Sequence, residues 1–376
     1  FDSIYDTYRE QAEALIEGGV DFIIIETIID VQEMRAALLA SLDAREAAGK
    51  TKDDVQIICQ FSFSEDGRTI TGTPPAVATT IVEAMGADII GINCSLGPEQ
   101  ITPLIEEIAS VTNLPISCQP NAGMPQLINK QTVFPLSAEE MGPLMLPIVD
   151  AGASYVGGCC GTTPDFIRCV SEMLHTDGNA GFWHEKEIPA TVCSPTKAVT
   201  ITEPRIIGER INPTGKKLFK EALLRGDMDY ILNQALEQIG AGADILDVNV
   251  GLPGIDEKEM MISAVKSIQA IVDVPLQVDS TIPEVLDAAL RVYNGKPIVN
   301  SVNGEEKSLK AVLPLVKKYG AAVVGLTLDE NGIPPKAEDR FKIAQRILER
   351  AQAIGIPKEN VYIDCLTLTA SAEQEG

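Results

Sequence analysis

The polar and apolar positions of this chain repeat as a two-part unit: a stretch with apolar residues at helical spacing, then a short, almost purely apolar run closed by a polar residue. The first copy shows the form. Ile4, Tyr8, Ala12 and Leu15 share one helical face, Gly18-Gly19 ends the helix, and the apolar run from Phe22 to Ile25 closes in Glu26. The unit recurs as helix 31–47, strand 55–61, helix 74–85, strand 88–93, helix 98–111, strand 114–119 and helix 138–151. A strand leading to Cys159 and a helix over 164–174 follow. Short strands without alternation are the mark of a parallel sheet covered on both faces.

From 175 to 203 the pattern gives way to polar sequence punctuated by Pro and Gly, containing the only tryptophan, Trp183. That stretch reads as an interdomain linker. The alternation then restarts, with strands near 205–208, 245–249, 276–279, 298–300, 322–326 and 361–364, and with helices clearest at 256–271, 283–293 and 337–353. The expected organisation is therefore two α/β domains, 1–175 and 204–376, joined by a linker at 176–203.

Five strands before the linker and six after it close no eight-stranded barrel, so periodicity alone leaves truncated barrels and open doubly wound sheets both open. The polar residues favour barrels. In the first domain they gather at strand ends: Glu26, Ser62, Asn93 with Cys94, Gln119 with Asn121, and Cys159 with Cys160. In the second the same is true of Glu209 with Asn212, Asp247 with Asn249, Asp279, Asn300 and Asp364. The strand ends of a parallel barrel all meet at one mouth, whereas an open sheet gathers only those at its switch point.

Charge and cysteine usage narrow the function. With 54 acidic and 30 basic side chains the chain carries a formal charge of −24, which excludes a phosphate-binding surface for nucleic acid. No uncharged apolar run approaches a membrane span, and Phe1 is no natural translation start, so the sequence reads as a soluble piece of something longer. Eight cysteines are too sparse for a disulfide scaffold and suit a reducing compartment, hence the cytoplasm.

Three of those cysteines fall where chemistry is expected. Cys94 ends one strand, while Cys159 and Cys160 end another inside the run GGCCGTTP, so any shared site is assembled by the fold rather than by a local finger. Three thiolates with a fourth tetrahedral position free describe a catalytic zinc site. Three small buried residues beside a glycine turn fit the same spacing. Cys59, Cys118, Cys169, Cys193 and Cys365 read as core or surface thiols. In the second domain, a buried strand-end aspartate can accept parallel N–H donors from an aminopyrimidinone edge while asparagines satisfy its other atoms, which suits a pterin. Helix caps and turns account for the same residues, Thr281 before Pro283 being well placed as an N-cap. GERINPTGKK is no phosphate loop, because Arg210 replaces its first glycine and no Ser or Thr follows Lys216. The only histidines, His175 and His184, lie in or beside the linker, so a histidine triad is unsupported.

Together these motifs resemble cobalamin-dependent methionine synthases, in their homocysteine- and folate-binding modules, over nearly the whole chain. NCSLGP from Asn93 and GGCCGTTP from Gly157 look like the two zinc-cysteine motifs of the homocysteine module. GERINPTG, LDVNVG, VDST, IVNSV and YIDCL are similar to a pterin-binding barrel. The resemblance implies Cys94, Cys159 and Cys160 as catalytic zinc ligands, Glu26 as the holder of the homocysteine amino group, and Asn212, Asp247, Asn249, Asp279, Asn300 and Asp364 as the lining of a 5-methyltetrahydrofolate pocket.

It also implies the fold: two tandem (β/α)8 TIM-type barrels, both incomplete, the first lacking its N-terminal strands and the second its C-terminal ones, in an internal fragment without the cobalamin-binding module. The implied reaction is methyl transfer from 5-methyltetrahydrofolate by way of cobalamin to zinc-activated homocysteine, giving methionine and tetrahydrofolate. Two alternatives stand beside it. A cobalamin-independent homocysteine S-methyltransferase shares the zinc motifs but needs no pterin domain, and a truncated fragment could bind zinc or pterin without catalysis.

Overall fold

The computed structural model describes residues 1–176 and 185–367, so Trp183 and His184 of the expected linker lie outside the described residues. The chain divides into two compact units, Phe1–Ile188 and Pro189–Gly376.

In the first unit, helices α1 (Asp2–Glu17), α2 (Val31–Ala47), α3 (Pro75–Met85) and α4 (Pro98–Val111) alternate with strands β1 (Phe22–Ile28), β2 (Gln56–Phe61), β3 (Ile89–Asn93) and β4 (Ile116–Gln119). A small antiparallel hairpin, β5 (Gln126–Ile128) with β6 (Gln131–Val133), follows, then α5 (Ala138–Leu144), α6 (Leu146–Asp150), β7 (Ala153–Val156) and α7 (Pro164–Thr176). Helix starts are set locally. Asp30 accepts the Glu33 N–H at the head of α2, and Ser137 with Glu140 forms a reciprocal capping box on α5. The single helix expected over 138–151 is broken in two. Pro147 has no N–H to give the Pro143 carbonyl and its ring crowds that carbonyl, so the ladder stops at Met145.

All five long strands of this unit are parallel and lie in the order β1-β2-β3-β4-β7. The order is sequential, with no reversal of the kind that creates a switch point in a doubly wound sheet. Right-handed crossovers between sequential neighbours lay every helix on one face and leave the other free to carry polar groups. Strand β1 shows both faces: Ile23 and Ile25 are buried, whereas Phe22, Ile24 and Glu26 are exposed. It runs past Glu26 through a register shift between Ile25 and Ile28, where Thr27 takes a left-handed φ of 61°.

The second unit opens on a hairpin, β8 (Thr191–Cys193) with β9 (Ala198–Thr200). A six-stranded parallel sheet follows, again in sequential order: β10 (Ile207–Ile211), β11 (Ile245–Val248), β12 (Leu276–Asp279), β13 (Ile298–Asn303), β14 (Ala322–Leu326) and β15 (Val361–Asp364). Its helices are α8 (Lys217–Arg225), α9 (Met228–Gly240), α10 (Glu257–Gln269), α11 (Pro283–Val292), α12 (Glu306–Tyr319) and α13 (Ala337–Ala353).

The hairpin falls where the sequence pattern showed only unstructured linker. Its strands are three residues long, too short for a periodicity to register. Yet Val192 and Val199 are buried against Ile245, Ile298 and Ala322, the first residues of β11, β13 and β14. The hairpin therefore lays an apolar floor at the amino end of the sheet. Cys193 is pinned there by exchanging backbone hydrogen bonds with Lys296, and its carbonyl also accepts from the Tyr293 hydroxyl at 2.9 Å. Gly295 makes this possible, since a Cβ there would lie 2.2 Å from the Cys193 oxygen.

Candidate functional sites

At the carboxyl end of the first sheet the chain leaves β3 at Asn93 and bends at once. Cys94 and Ser95 are consecutive left-handed residues, with φ of 62° and 58°. Each costs on the order of 1 kcal/mol or more, so the turn must be held by its surroundings. The holding groups are visible. The Leu96 N–H returns to the Cys94 carbonyl at 2.7 Å, and the Ser95 hydroxyl meets that of buried Ser62 at 2.6 Å.

The exit of β4 then clasps both cysteine-bearing loops. The Gln119 carbonyl accepts the Cys94 N–H at 3.0 Å, the Pro120 carbonyl accepts the Cys159 N–H at 2.8 Å, and the Asn121 carboxamide oxygen accepts the Cys160 N–H at 3.0 Å. Asn121 closes the clasp by donating its own N–H to Leu96. Tight glycine contacts complete the second loop: a Cβ on Gly161, at φ +82°, would sit 2.4 Å from the Phe134 ring.

The clasp brings together the three sulfurs that the sequence singled out. The Sγ atoms of Cys94, Cys159 and Cys160 all lie within 4.8 Å of one another, with Cys94 and Cys160 at 3.7 Å. Tetrahedral coordination at a zinc–sulfur distance of about 2.3 Å calls for sulfurs about 3.8 Å apart, so the donor set has the size and softness that zinc takes. Burial, then the neighbouring Cys94, pushes Cys159 up to about 12, and Cys160 is raised as well, first by its hydrogen bond with Cys94. A divalent ion reverses that balance by stabilising the thiolates. The other five cysteines are outside this cluster and form no disulfide, with Cys59, Cys118 and Cys193 buried.

Beside the sulfurs, fully buried Asn93 accepts the Thr27 N–H at 2.7 Å. Its NH2 group faces the Thr27 hydroxyl at 2.8 Å, the Glu26 carboxylate at 3.3 Å and the Cys159 sulfur at 3.9 Å. Glu26 and the thiols thus belong to one constellation. One layer below, Gln60 reaches across Gly91, which has no side chain in the way, and donates to the Ser117 hydroxyl at 2.7 Å.

In the second unit the polar residues sit within the strands as well as at their ends. Asp247, 2% exposed, accepts from the Gln277 amide at 2.5 Å and the Asn300 amide at 3.4 Å. Asp279 accepts from the Asn249 amide at 3.0 Å. Burial lifts the Asp247 carboxyl to about 7, and burial raises Asp279 too, with Glu209 and Glu257 adding repulsion. Four of the six expected residues therefore form two linked pairs. Asn212 caps its own loop by accepting the Thr214 N–H, and Asp364, on the edge strand β15, accepts the Leu366 N–H. Among the described residues no hydrogen bond joins those two to the others.

Three residues escaped the sequence reading. Gln277 stands in the run Leu276–Asp279, and its signal was a polar side chain on the same face as Asp279 in an otherwise apolar strand. Glu257 and Ser280 meet at 2.6 Å beside Asp279 and carried no signal beyond ordinary helix-start and turn chemistry. No helix among the described residues is long and apolar enough to cross a membrane.

Residues 1–174 match the family described as homocysteine S-methyltransferase, and residues 208–376 the family described as pterin binding enzyme. The chain is 33% identical over 385 residues to a methionine synthase of Mycobacterium leprae (strain TN), and 33% identical over 384 residues to one of Mycobacterium tuberculosis (strain ATCC 25618 / H37Rv). Each match covers 99% of this chain and 32% of the relative, so the chain spans about a third of the length of these curated relatives. Among solved structures, the apo form of the homocysteine methyltransferase MmuM from Escherichia coli is similar, with a TM-score of 0.37 and 22% identity over 46% of this chain and 56% of that one.

Proposed function

Because the chain joins a module of the homocysteine S-methyltransferase family to one of the pterin-binding family, and aligns along its length with methionine synthases, we propose that it carries their homocysteine and folate sites. The reaction served is methyl transfer from 5-methyltetrahydrofolate to homocysteine by way of cobalamin, giving methionine and tetrahydrofolate. The observation that carries this reading is the convergence of three sulfurs from two strand ends beside a carboxylate.

Cys94, Cys159 and Cys160 would hold zinc in the first module, beside which the homocysteine thiol would bind. Zinc held there would supply Lewis acidity, lowering the pKa of a substrate thiol so that its sulfur could act as a nucleophile near neutral pH. Glu26 accepts the substrate ammonium, which sets the reach from amino group to sulfur and so the aim of the nucleophile. In the second module Asp247, Asn249, Asp279 and Asn300, with Asn212 and Asp364 at its margins, take the pterin. The ring's N–H edge meets carboxylates already stripped of water, and the amides fix its plane. As the N-methyl bond breaks the leaving nitrogen needs a proton, and a polar pocket that holds the ring still serves this better than a covalent nucleophile.

The sequential strand order supports reading each sheet as an arc of a (β/α)8 barrel, in the expected domains 1–175 and 204–376, with the hairpin at 191–200 of the expected linker packed on the second. Eight cysteines outside any disulfide fit the reducing cytoplasm. The test is metal content and ligand binding on one preparation. The purified chain should hold about one zinc through its three thiolates and bind 5-methyltetrahydrofolate. Wild-type protein holding no more zinc than Cys94→Ser or Cys160→Ser would remove the first site, and folate affinity unchanged in Asp279→Ala would remove the second.

A further inference from the structure

Asn93 has one proton fewer than it has acceptors. Its carboxamide oxygen is committed to the Thr27 N–H at 2.7 Å, which fixes which end of the side chain is the NH2. That NH2 carries two protons and faces three acceptors: the Thr27 hydroxyl at 2.8 Å, the Glu26 carboxylate at 3.3 Å and the Cys159 sulfur at 3.9 Å. The shortest contact takes one proton. The other is left between a carboxylate and a sulfur, and which of them it favours depends on how much negative charge each carries.

We infer that Asn93 is a positioning residue that links the amino-acid end of the homocysteine site to its metal end, by sharing one N–H between Glu26 and the Cys159 thiolate. The inference rests on the proposed function of the first module and deepens it. When Glu26 is neutralised by a substrate ammonium, the shared N–H shifts towards the sulfur. There it shares the charge of a metal-bound thiolate, as hydrogen-bonded partners of metal ligands do. The strained backbone fits this role. Thr27 sits at φ 61°, inside the register shift of β1, and its amide and hydroxyl both address Asn93, so the turn that aims Glu26 is built around the same carboxamide. With Asn93 fully buried, water does not compete for the N–H.

The test uses Asn93→Asp in the full chain. This change keeps the oxygen that accepts the Thr27 N–H and removes the donors to Glu26 and Cys159. Simple charge attraction predicts tighter zinc binding, because an anion has been added beside a dication. Loss of a ligand-orienting N–H predicts weaker binding, by about 10- to 100-fold. Zinc affinity from chelator competition, on protein whose melting temperature shows an intact fold, should follow the second course. Affinity equal to or tighter than wild type overturns the inference. If the variant does not fold, the wild type decides: the Asn93 side-chain amide proton should shift on addition of Cd2+, and an unmoved resonance in metal-loaded protein overturns it. Wild-type protein that takes up neither zinc nor cadmium instead removes the proposed function itself.

Discussion

The two units share an architecture, sequential parallel strands with helices between them, and differ in where they keep their chemistry. In the first unit the donors lie beyond the strands, on loops at Cys94 and at Cys159-Cys160, whose main-chain N–H groups are held by the carbonyls of Gln119 and Pro120 and the carboxamide of Asn121 at the exit of β4. In the second, Asp247, Gln277, Asp279 and Asn300 lie on the strands themselves, with Asp247 and Gln277 side by side above a floor sealed by Val192 and Val199. The difference fits the ligands proposed for the two units. Metal–thiolate bonds are strong enough to organise exposed loops, so that site needs a clasp more than a dry pocket. A pterin would offer only hydrogen bonds, which gain strength when water is excluded, and the carboxylates of the second unit are buried, with the raised pKa that burial brings.

The sharpest break of this comparison is Cys160→Ser. The first unit should lose its zinc almost completely, as read by metal analysis, while folate binding by the second is unchanged. Next in size, Asp247→Ala removes a buried acceptor and strands the Gln277 and Asn300 amides. Affinity for 5-methyltetrahydrofolate should fall by about 10- to 100-fold, corresponding to about 1–3 kcal/mol for an unpaired buried group, with zinc content untouched.

The same carboxyl gives a pH test that sharpens the contrast. Its folded value is about 7 against an ordinary value of 3.8, so between roughly pH 4 and pH 7 the folded state holds a proton that the unfolded state has released. The Asp247 contribution to stability is therefore greatest in acid and declines as pH rises through that window, by at most about 1.4 kcal/mol per pH unit. Denaturant titrations at several pH values should show the decline flatten in Asp247→Asn. Folate binding should run the other way, strengthening towards pH 7 and above as the carboxylate that accepts the pterin N–H groups forms. The smallest effect expected is that of Val192→Ala. Thinning the floor should destabilise the second unit by about 1–2 kcal/mol, seen as a lower denaturation midpoint, and weaken folate binding only as far as water reaches Asp247.

Much of this was legible in advance, and particular residues show why. Helices 31–47, 98–111 and 337–353 and strands 276–279, 322–326 and 361–364 fall where the pattern placed them, because caps, glycines and unbroken apolar runs act over a few residues. The hairpin at 191–200 was not legible. Its three-residue strands mean nothing until Val192 and Val199 find the ends of β11, β13 and β14. Gln277 looked like a stray polar residue until the register set it against Asp247.

What the sequence determined by itself is local and additive: an α/β alternation, two adjacent cysteines behind a pair of glycines, carboxylates and amides at strand ends, and motifs that resemble a known family. What only the tertiary structure decided depends on residues far apart in the chain. It brought Cys94 within 3.7 Å of Cys160 across 66 positions, and it gave one buried asparagine both a carboxylate and a sulfur to serve. It also set Asp364 on an edge strand, where its carboxylate accepts the Leu366 N–H. The physical reason is that spacing along a chain fixes which face of an element a residue occupies. Distance, burial and the number of donors per acceptor exist only once the elements have packed.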